Sequence, residues 1–368
     1  MAITIKSAPS GFVSANEDVW HVVDSTNKDA VGFKYLFDIY KSGELLTRVT
    51  NSPYGDDGYG VINVGNIVRS LVTVDTLGDL DMSTPFNGSF SILSEGADYW
   101  FASYQVRYGE VSGTTITEND ASGSYEVFNT YNRHPLHNSG AELSSGLVFL
   151  TNRPDESYYY DGEPVVLSLN GRRFSIGQSV SININSSTRS FFSFRLLYYF
   201  SINGLTQDVS TVTVAGTNVK TLKKRCSKYT PYTLVFLNCY GAWDSFTFVN
   251  GNVITDNQKK KFEQLEWRLD GFNMVNKSGK VRYEGMRTYG SEFNTKMKLT
   301  TDLLNSEEYI WLFELMVSPL VYLWDKTANL FHPVQITDSN YEIKNSLQNK
   351  TQTLDVNIEV YKQNTQYR

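Results

Sequence analysis

The chain is 368 residues long with 40% hydrophobic residues and a formal net charge of −6, which allows two or three domains with cores of their own and excludes disorder as the overall state. That mildly acidic balance argues against a protein whose main work is wrapping nucleic acid. Aromatics make up 14%, with 24 Tyr and 21 Phe against 9 Pro and 6 Met, and flat rings suit pleated surfaces, so the expectation is an all-β, β-dominated chain.

The first extended signal, FKYLFDIYKSGELLTRV, alternates Phe33, Tyr35, Phe37 and Ile39 against Lys34, Leu36, Asp38 and Tyr40. It turns at Ser42-Gly43, which predicts a β-hairpin. In GYGVINVGNIVRSLV, Ile67, Val68 and Leu71 share one side of a short helical turn. YWFASYQVRYGEV repeats the aromatic period of two and stops at Gly109, ahead of the Gly/Ser/Thr/Asn-rich stretch VSGTTITENDASGSYE. TYNRHPLHNSGAELSSG closes a first domain, 1–145, read as an N-terminal β-sandwich. GEPVVLSLNGRRFSIG, SVSININ, FFSFRLLYYFSI and STVTVAGTNVKTL then give short strands at close turn spacing, the pattern of an immunoglobulin-like β-sandwich over 146–225.

The last block, 226–368, contains YTLVFLNCYGAWDSFTF. Its two ends are extended, so Asn238 to Ala242 reads as a corner joining antiparallel strands, with Gly241 supplying permissive backbone and Asp244 bonding nearby backbone amides. NSEEYIWLFELM predicts the one convincing helix, at about 306–317. Asn305 is its N-cap, Glu308 stands three residues on for a reciprocal cap, and Ser318-Pro319 ends it. Tyr309, Ile310, Trp311, Leu312, Phe313, Leu315, Met316 and Val317 point in nearly every direction, so a neighbouring domain or another copy must cover its second side. LVYLW, HPVQIT and YEIKNSLQ follow. LDVNIEVYK then alternates Leu354, Val356, Ile358 and Val360 against Asp355, Asn357, Glu359 and Tyr361 as a half-buried strand. The fold class expected is antiparallel β-sandwich domains, the C-terminal one flanked by a single α-helix.

Candidate chemistry is sparse. His134 and His137 lack the further ligands of a structural zinc site. Asp56 and Asp57 in PYGDDGYG lack the ligand alternation and distal glutamate of a calcium loop, leaving a tight turn whose Tyr54 and Tyr59 can grip a partner. Lys220, Lys223, Lys224, Arg225 and Lys228 form a basic cluster, and Lys259 to Lys261 a second; a phosphate-facing surface and a solvated interdomain linker both fit, the linker more simply. There is no G-x-S-x-G elbow, P-loop or HExxH, and neighbouring carboxylates such as Asp155 and Glu156 do not identify a hydrolase. Cys226 and Cys239 match no zinc or CxxC spacing and predict free thiols in a reducing compartment. MAITIKSAPSGFVSANEDVW lacks the head and apolar run of a secretory signal, and no apolar run approaches the roughly 20 residues of a membrane span, so no membrane anchor is expected.

YTLVFLNCYGAWDSFTF, SPLVYLWD and HPVQITDSNYEIKNSLQNKTQTLDVNIEVYK, with GYGVINVGNIVRSLV and YQVRYGEV nearer the start, resemble virion structural proteins of tailed phages that infect Bacteroidales, including the crAss-like group. The resemblance implies a non-enzymatic protein made in the host bacterial cytoplasm and assembled as a homo-oligomeric ring in the tail, neck or baseplate. A sandwich flanked by one helix is also similar to tail-tube and distal-tail folds. No catalytic residue, cofactor or metal is implied. The implied partners are other copies of the chain, neighbouring virion proteins, and DNA passing through a lumen faced by Lys220, Lys223, Lys224, Arg225 and Lys228. Trp311, Phe313, Met316, Tyr322 and Trp324 are expected as core or subunit-interface anchors. The alternative is a host-attachment or carbohydrate-binding module whose Tyr54, Tyr59, Tyr158, Tyr159 and Tyr160 stack on sugars, and a glycan-cleaving enzyme on the same scaffold stands behind it.

Overall fold

The computed structural model describes residues 3–10, 12–72, 100–132, 142–143, 146–185, 187–193, 197–205, 207–264, 285–338 and 352–367. The protein is mostly β, 58% strand and 8% helix, with antiparallel sheets and a curled half-barrel. Two pairings depart from the antiparallel expectation, and both join segments far apart in sequence, as parallel pairs require.

The N-terminal block contains β1 (Ile3–Ser7), β2 (Phe12–Ser14), β3 (Trp20–Ser25), β4 (Phe33–Lys41), β5 (Glu44–Asn51), β6 (Gly60–Asn63), α1 (Gly65–Arg69), β7 (Phe101–Ser112) and β8 (Thr115–Phe128). They form a three-stranded sheet, β1-β3-β6, and a five-stranded sheet, β2-β8-β7-β4-β5, with β2 parallel to β8. The predicted hairpin is β4–β5, and Ser42 and Gly43 both take positive φ, the backbone of a two-residue turn that matches strand twist. The short helical turn is α1, with Val68 buried in the core. Gly109 does not end its strand: β7 continues through a register shift to Ser112, and the polar stretch after it is mostly β8. A bulge absorbs what a strict alternation reads as a stop.

The middle block contains β9 (Glu156–Tyr160), β10 (Val165–Asn170), the 3-10 turn Gly171–Arg173, β11 (Ser179–Ile184), β12 (Ser187–Phe192), β13 (Leu197–Ile202), β14 (Val209–Val214) and β15 (Asn218–Arg225). One sheet is β12-β11-β14-β15-β9, with β9 parallel to β15, and a smaller one pairs β10 with β13. FFSFRLLYYFSI is therefore divided between two sheets. Leu167, Leu169, Ile182, Ile202, Val212 and Leu222 fill the space between them.

The C-terminal block contains β16 (Tyr232–Leu237), β17 (Trp243–Phe248), β18 (Asn250–Gln264), β19 (Gly285–Thr300), α2 (Ser306–Trp311), α3 (Phe313–Val317), β20 (Val321–Asp325), β21 (Leu330–Ile336) and β22 (Asp355–Tyr367). Its seven strands run β17-β16-β20-β21-β22-β19-β18. The alternation in β22 buries Leu354, Val356 and Ile358, as predicted. The capping box is present in both directions between Asn305 and Glu308, and Ser318 leaves helical geometry before Pro319. The helix itself is two short pieces separated at Leu312. Its second cover comes from within the chain: Trp311, Leu312 and Leu315 pack on the sheet, whereas Glu308 and Glu314 are buried against the middle block.

The two edges of this sheet differ. Every residue of β17 is buried, because β10 lies alongside it and side chains meet its open edge. Ser168 Oγ donates to the Trp243 carbonyl at 2.7 Å, Arg153 Nη1 donates to the Ser245 carbonyl at 3.1 Å, and Ser245 Oγ accepts from the Val166 amide at 2.8 Å. At the other edge β18 is exposed on both faces: Val253 and Ile254, successive residues that point opposite ways, are 58% and 52% exposed. Pairing of β22 with β21 ends at Val360, and beyond it the outer parts of β18, β19 and β22 continue as a ribbon. On that ribbon Phe262, Met286 and Tyr289 are exposed.

Candidate functional site

The corner between β16 and β17 is where the three blocks meet. Asn238 shapes it: its Oδ1 accepts from the Tyr240 and Ala242 amides, at 3.0 and 3.1 Å, and its Nδ2 donates to the Leu150 carbonyl at 2.7 Å. Gly241 sits at φ +67°, and a Cβ there would lie 1.9 Å from the Asn129 carbonyl oxygen, so both its backbone and its bareness are required. The N-terminal block grips the corner through Tyr131, whose amide donates to the Cys239 carbonyl at 3.0 Å, and through Trp100 Nε1, which donates to the Tyr240 carbonyl at 2.7 Å. From the helices, Glu314 accepts from the Cys239 amide at 3.1 Å and from Asn152 Nδ2 at 2.6 Å. Asn152 Nδ2 also reaches Cys239 Sγ at 3.0 Å, and the Tyr240 hydroxyl bonds Glu142. Burial, with Cys239 and Glu142 nearby, pushes the Tyr240 hydroxyl far above the usual tyrosine range.

Asp244, expected to bond backbone amides of its own turn, is instead inside β17 and fully buried. One carboxylate oxygen accepts from Thr151 Oγ1 at 2.7 Å, Asn238 Nδ2 at 3.1 Å and Trp311 Nε1 at 3.2 Å. The other has no hydrogen bond among the described residues. Burial raises its pKa against the pull of these donors and of Arg153. Arg153 donates to Ser157 Oγ and to the Ser245 and Tyr158 carbonyls, and its guanidinium lies 5.1 Å from the Trp311 ring centroid. Burial lowers its pKa to about 10, so it stays charged at neutral pH. With Glu308 and Glu314 the junction encloses three acidic groups and one cation. Such groups are tolerated inside a protein mainly when hydrogen bonds fix them, and here the donors and acceptors come from all three blocks. The cleft beside it, between Tyr158, Arg225, Phe246 and Glu308, has room for about one water molecule.

The structure brings together two groups of residues that the sequence kept apart. The basic run and the tyrosine run are neighbouring strands, with Lys223 opposite Tyr158, Lys224 opposite Tyr159 and Arg225 opposite Tyr160. Lys220 pairs with Asp155, Lys223 with Glu156, Lys224 with Asp161 and Arg225 with Asp302. The run is thus part of a sheet and neutralised by adjacent acids, not a solvated linker. Arg225 covers the Tyr158 ring at 3.3 Å from its centroid, and Tyr159 and Tyr160 are buried, which removes both rings from the surface. Lys228, beyond the strand, lies over Tyr229. Tyr54 is exposed at the tip of a turn closed by reciprocal backbone bonds with Tyr59, and Lys28 lies over the Tyr59 ring. Trp311 and Trp324 are core residues, while Phe313, Met316 and Tyr322 are half-buried. His134 and His137 lie outside the described residues.

Two polar clusters had no signal in the sequence. In the N-terminal block the buried His21 ring contacts the Tyr108 and Tyr104 hydroxyls at 3.0 and 3.4 Å, and Tyr108 contacts Tyr125 at 3.1 Å. Burial lowers the His21 pKa to about 4, so the ring is neutral. At the border with the middle block, Arg172 lies among the Phe12, Phe101 and Phe128 rings and bonds Glu126 with both carboxylate oxygens. The period-two aromatics of β7 include Tyr104 and Tyr108, but nothing in the sequence pairs them with His21 or Tyr125. Among the described residues no group of three or more His, Cys, Asp or Glu is placed to hold a metal ion, and no helix is long and apolar enough to cross a membrane. No protein-family model matches the chain, and a search of curated proteins finds no match.

Proposed function

We propose that the protein is a non-enzymatic structural component of a tailed bacteriophage particle, made in the host bacterial cytoplasm and assembled as a homo-oligomeric ring in the tail, neck or baseplate. The observation that carries this reading is the corner at Asn238 to Asp244, where three β-rich blocks are joined through buried, hydrogen-bonded polar groups. A ring under mechanical load needs subunits whose parts do not swing, and interfaces inside a chain are otherwise often loose enough to move. The tail-tube or distal-tail likeness of a sandwich flanked by helix belongs to the same proposal. DNA in the lumen would meet the basic strand only through pairs already neutralised, so contacts with neighbouring virion proteins and other copies carry the assembly. Negative-stain images of the purified chain test it: closed rings of uniform diameter are expected, and a field of single particles of one chain's size contradicts it.

The exposed ring of Tyr54 favours host attachment through glycans as the second reading. Glycan-array binding that is lost in Tyr54→Ala would establish it, and an array without signal would remove it.

A further inference from the structure

We propose that the ribbon formed by the outer parts of β18, β19 and β22 is the surface through which one copy of the chain docks on the next. This rests on the ring reading above and names its interface. The ribbon spans about nine residues of β18, or roughly 30 Å at about 3.4 Å per residue, and its strands are about 4.8 Å apart. Its two faces together offer about 800 Å², which is what one partner contributes to a stable interface of ordinary size. Exposed Phe262, Met286 and Tyr289, with Val253 and Ile254 beside the ribbon on the inner part of β18, supply the apolar content that an interface core needs and that phosphate binding does not use. The outer edge of β18 also has no neighbouring strand among the described residues.

Charge favours a second copy as the occupant. The three strands carry seven basic and five acidic residues, a net of +2 in a chain of net −6, which leaves −8 on the remainder. A basic ribbon meeting the acidic body of the next subunit is a head-to-tail contact, and such contacts close into rings when the rotation allows. Lys259 to Lys261 on the edge of β18 suit this selective docking, since lysines on an open strand discourage indiscriminate sheet-to-sheet pairing.

The test compares the full chain, the ribbon double variant Phe262→Glu with Met286→Glu, and the control Val31→Glu with Ile176→Glu, by size-exclusion chromatography with light scattering. The control sites are 99% and 89% exposed and lie in the other blocks. The wild-type chain and the control are expected at a multiple of 41.7 kDa, and the ribbon variant at the mass of one chain with an unchanged near-UV spectrum and melting temperature. An assembled ribbon variant would overturn the inference while leaving the ring reading in place. A wild-type chain that stays at the mass of one chain at high concentration overturns both.

Discussion

The two edges of the seven-stranded sheet pose the same problem, a row of backbone groups without a neighbouring strand, and meet it in opposite ways. At β17 the middle block supplies Ser168, Arg153 and the Val166 amide, and WDSFTF is wholly buried despite an aspartate, a serine and a threonine in six residues. At β18 no neighbouring strand is supplied among the described residues, and valine and isoleucine lie open on successive positions. Polarity therefore does not tell which edge is inside. The polar residues of β17 are interior because another block brings matching donors and acceptors, while apolar residues of β18 stay exposed.

Breaking the closed edge has the largest consequences. Asp244→Ala strands the Thr151, Asn238 and Trp311 donors in a dry site, and a loss of about 3 to 5 kcal/mol is expected in urea unfolding. Asp244→Asn keeps an acceptor for them and costs less. It also removes a pH dependence: with its carboxyl pKa raised in the folded state, the native chain holds a proton that the unfolded chain releases, so stability falls as pH rises from about 3.8 through the raised value and is flat above it. Gly241→Ala is expected to cost about 2 to 4 kcal/mol, combining strain at positive φ with the clash on Asn129. Gly43→Ala, also at positive φ but facing open space, isolates the strain and costs about 1 kcal/mol.

Acid acts oppositely on the N-terminal block. His21 is buried neutral with its pKa near 4, so its contribution is present above the ordinary 6.5 and is lost as pH falls through this interval, on the order of 3 kcal/mol in all. Thermal melts of His21→Gln against the wild-type chain between pH 7 and 4 should show a flatter profile for the variant. Arg225→Ala, which uncovers Tyr158 and removes the bond to the Leu303 carbonyl, is expected to lower stability by about 1 to 2 kcal/mol. On the open edge Ile254→Thr should change the stability of the isolated chain by less than about 0.5 kcal/mol and act on assembly alone, which is the sharpest form of the contrast.

Local features of the fold were legible in the sequence. The β4–β5 hairpin, the Asn305/Glu308 cap, the stop before Pro319, the Gly241 corner and the alternation of β22 all depend on residues within a few positions of one another. The junction was not, because its partners are remote: Asp244 meets Thr151 across 93 residues and Asn152 meets Glu314 across 162. The reading of Asp244 as a turn residue fails for that reason, since two of its three donors, Thr151 and Trp311, are remote in sequence. The acids that pair with the basic run are likewise remote in sequence: Asp155, Glu156 and Asp161 come with β9 through a parallel pairing, and Asp302 from the C-terminal block. The sequence of 306–317 reads as one helix because its propensity is continuous. The break at Leu312 accompanies a split burial, with Trp311 and Leu315 in the sheet's core and Glu308 and Glu314 against the middle block.

Hydrogen exchange of the two edge strands, followed at low and high protein concentration, tests the contrast most directly. The account predicts slow exchange across Trp243–Phe248 at both concentrations, and exchange across β18 that is fast in dilute solution and slows as copies assemble. Exchange in β18 that is equally fast at every concentration would contradict it.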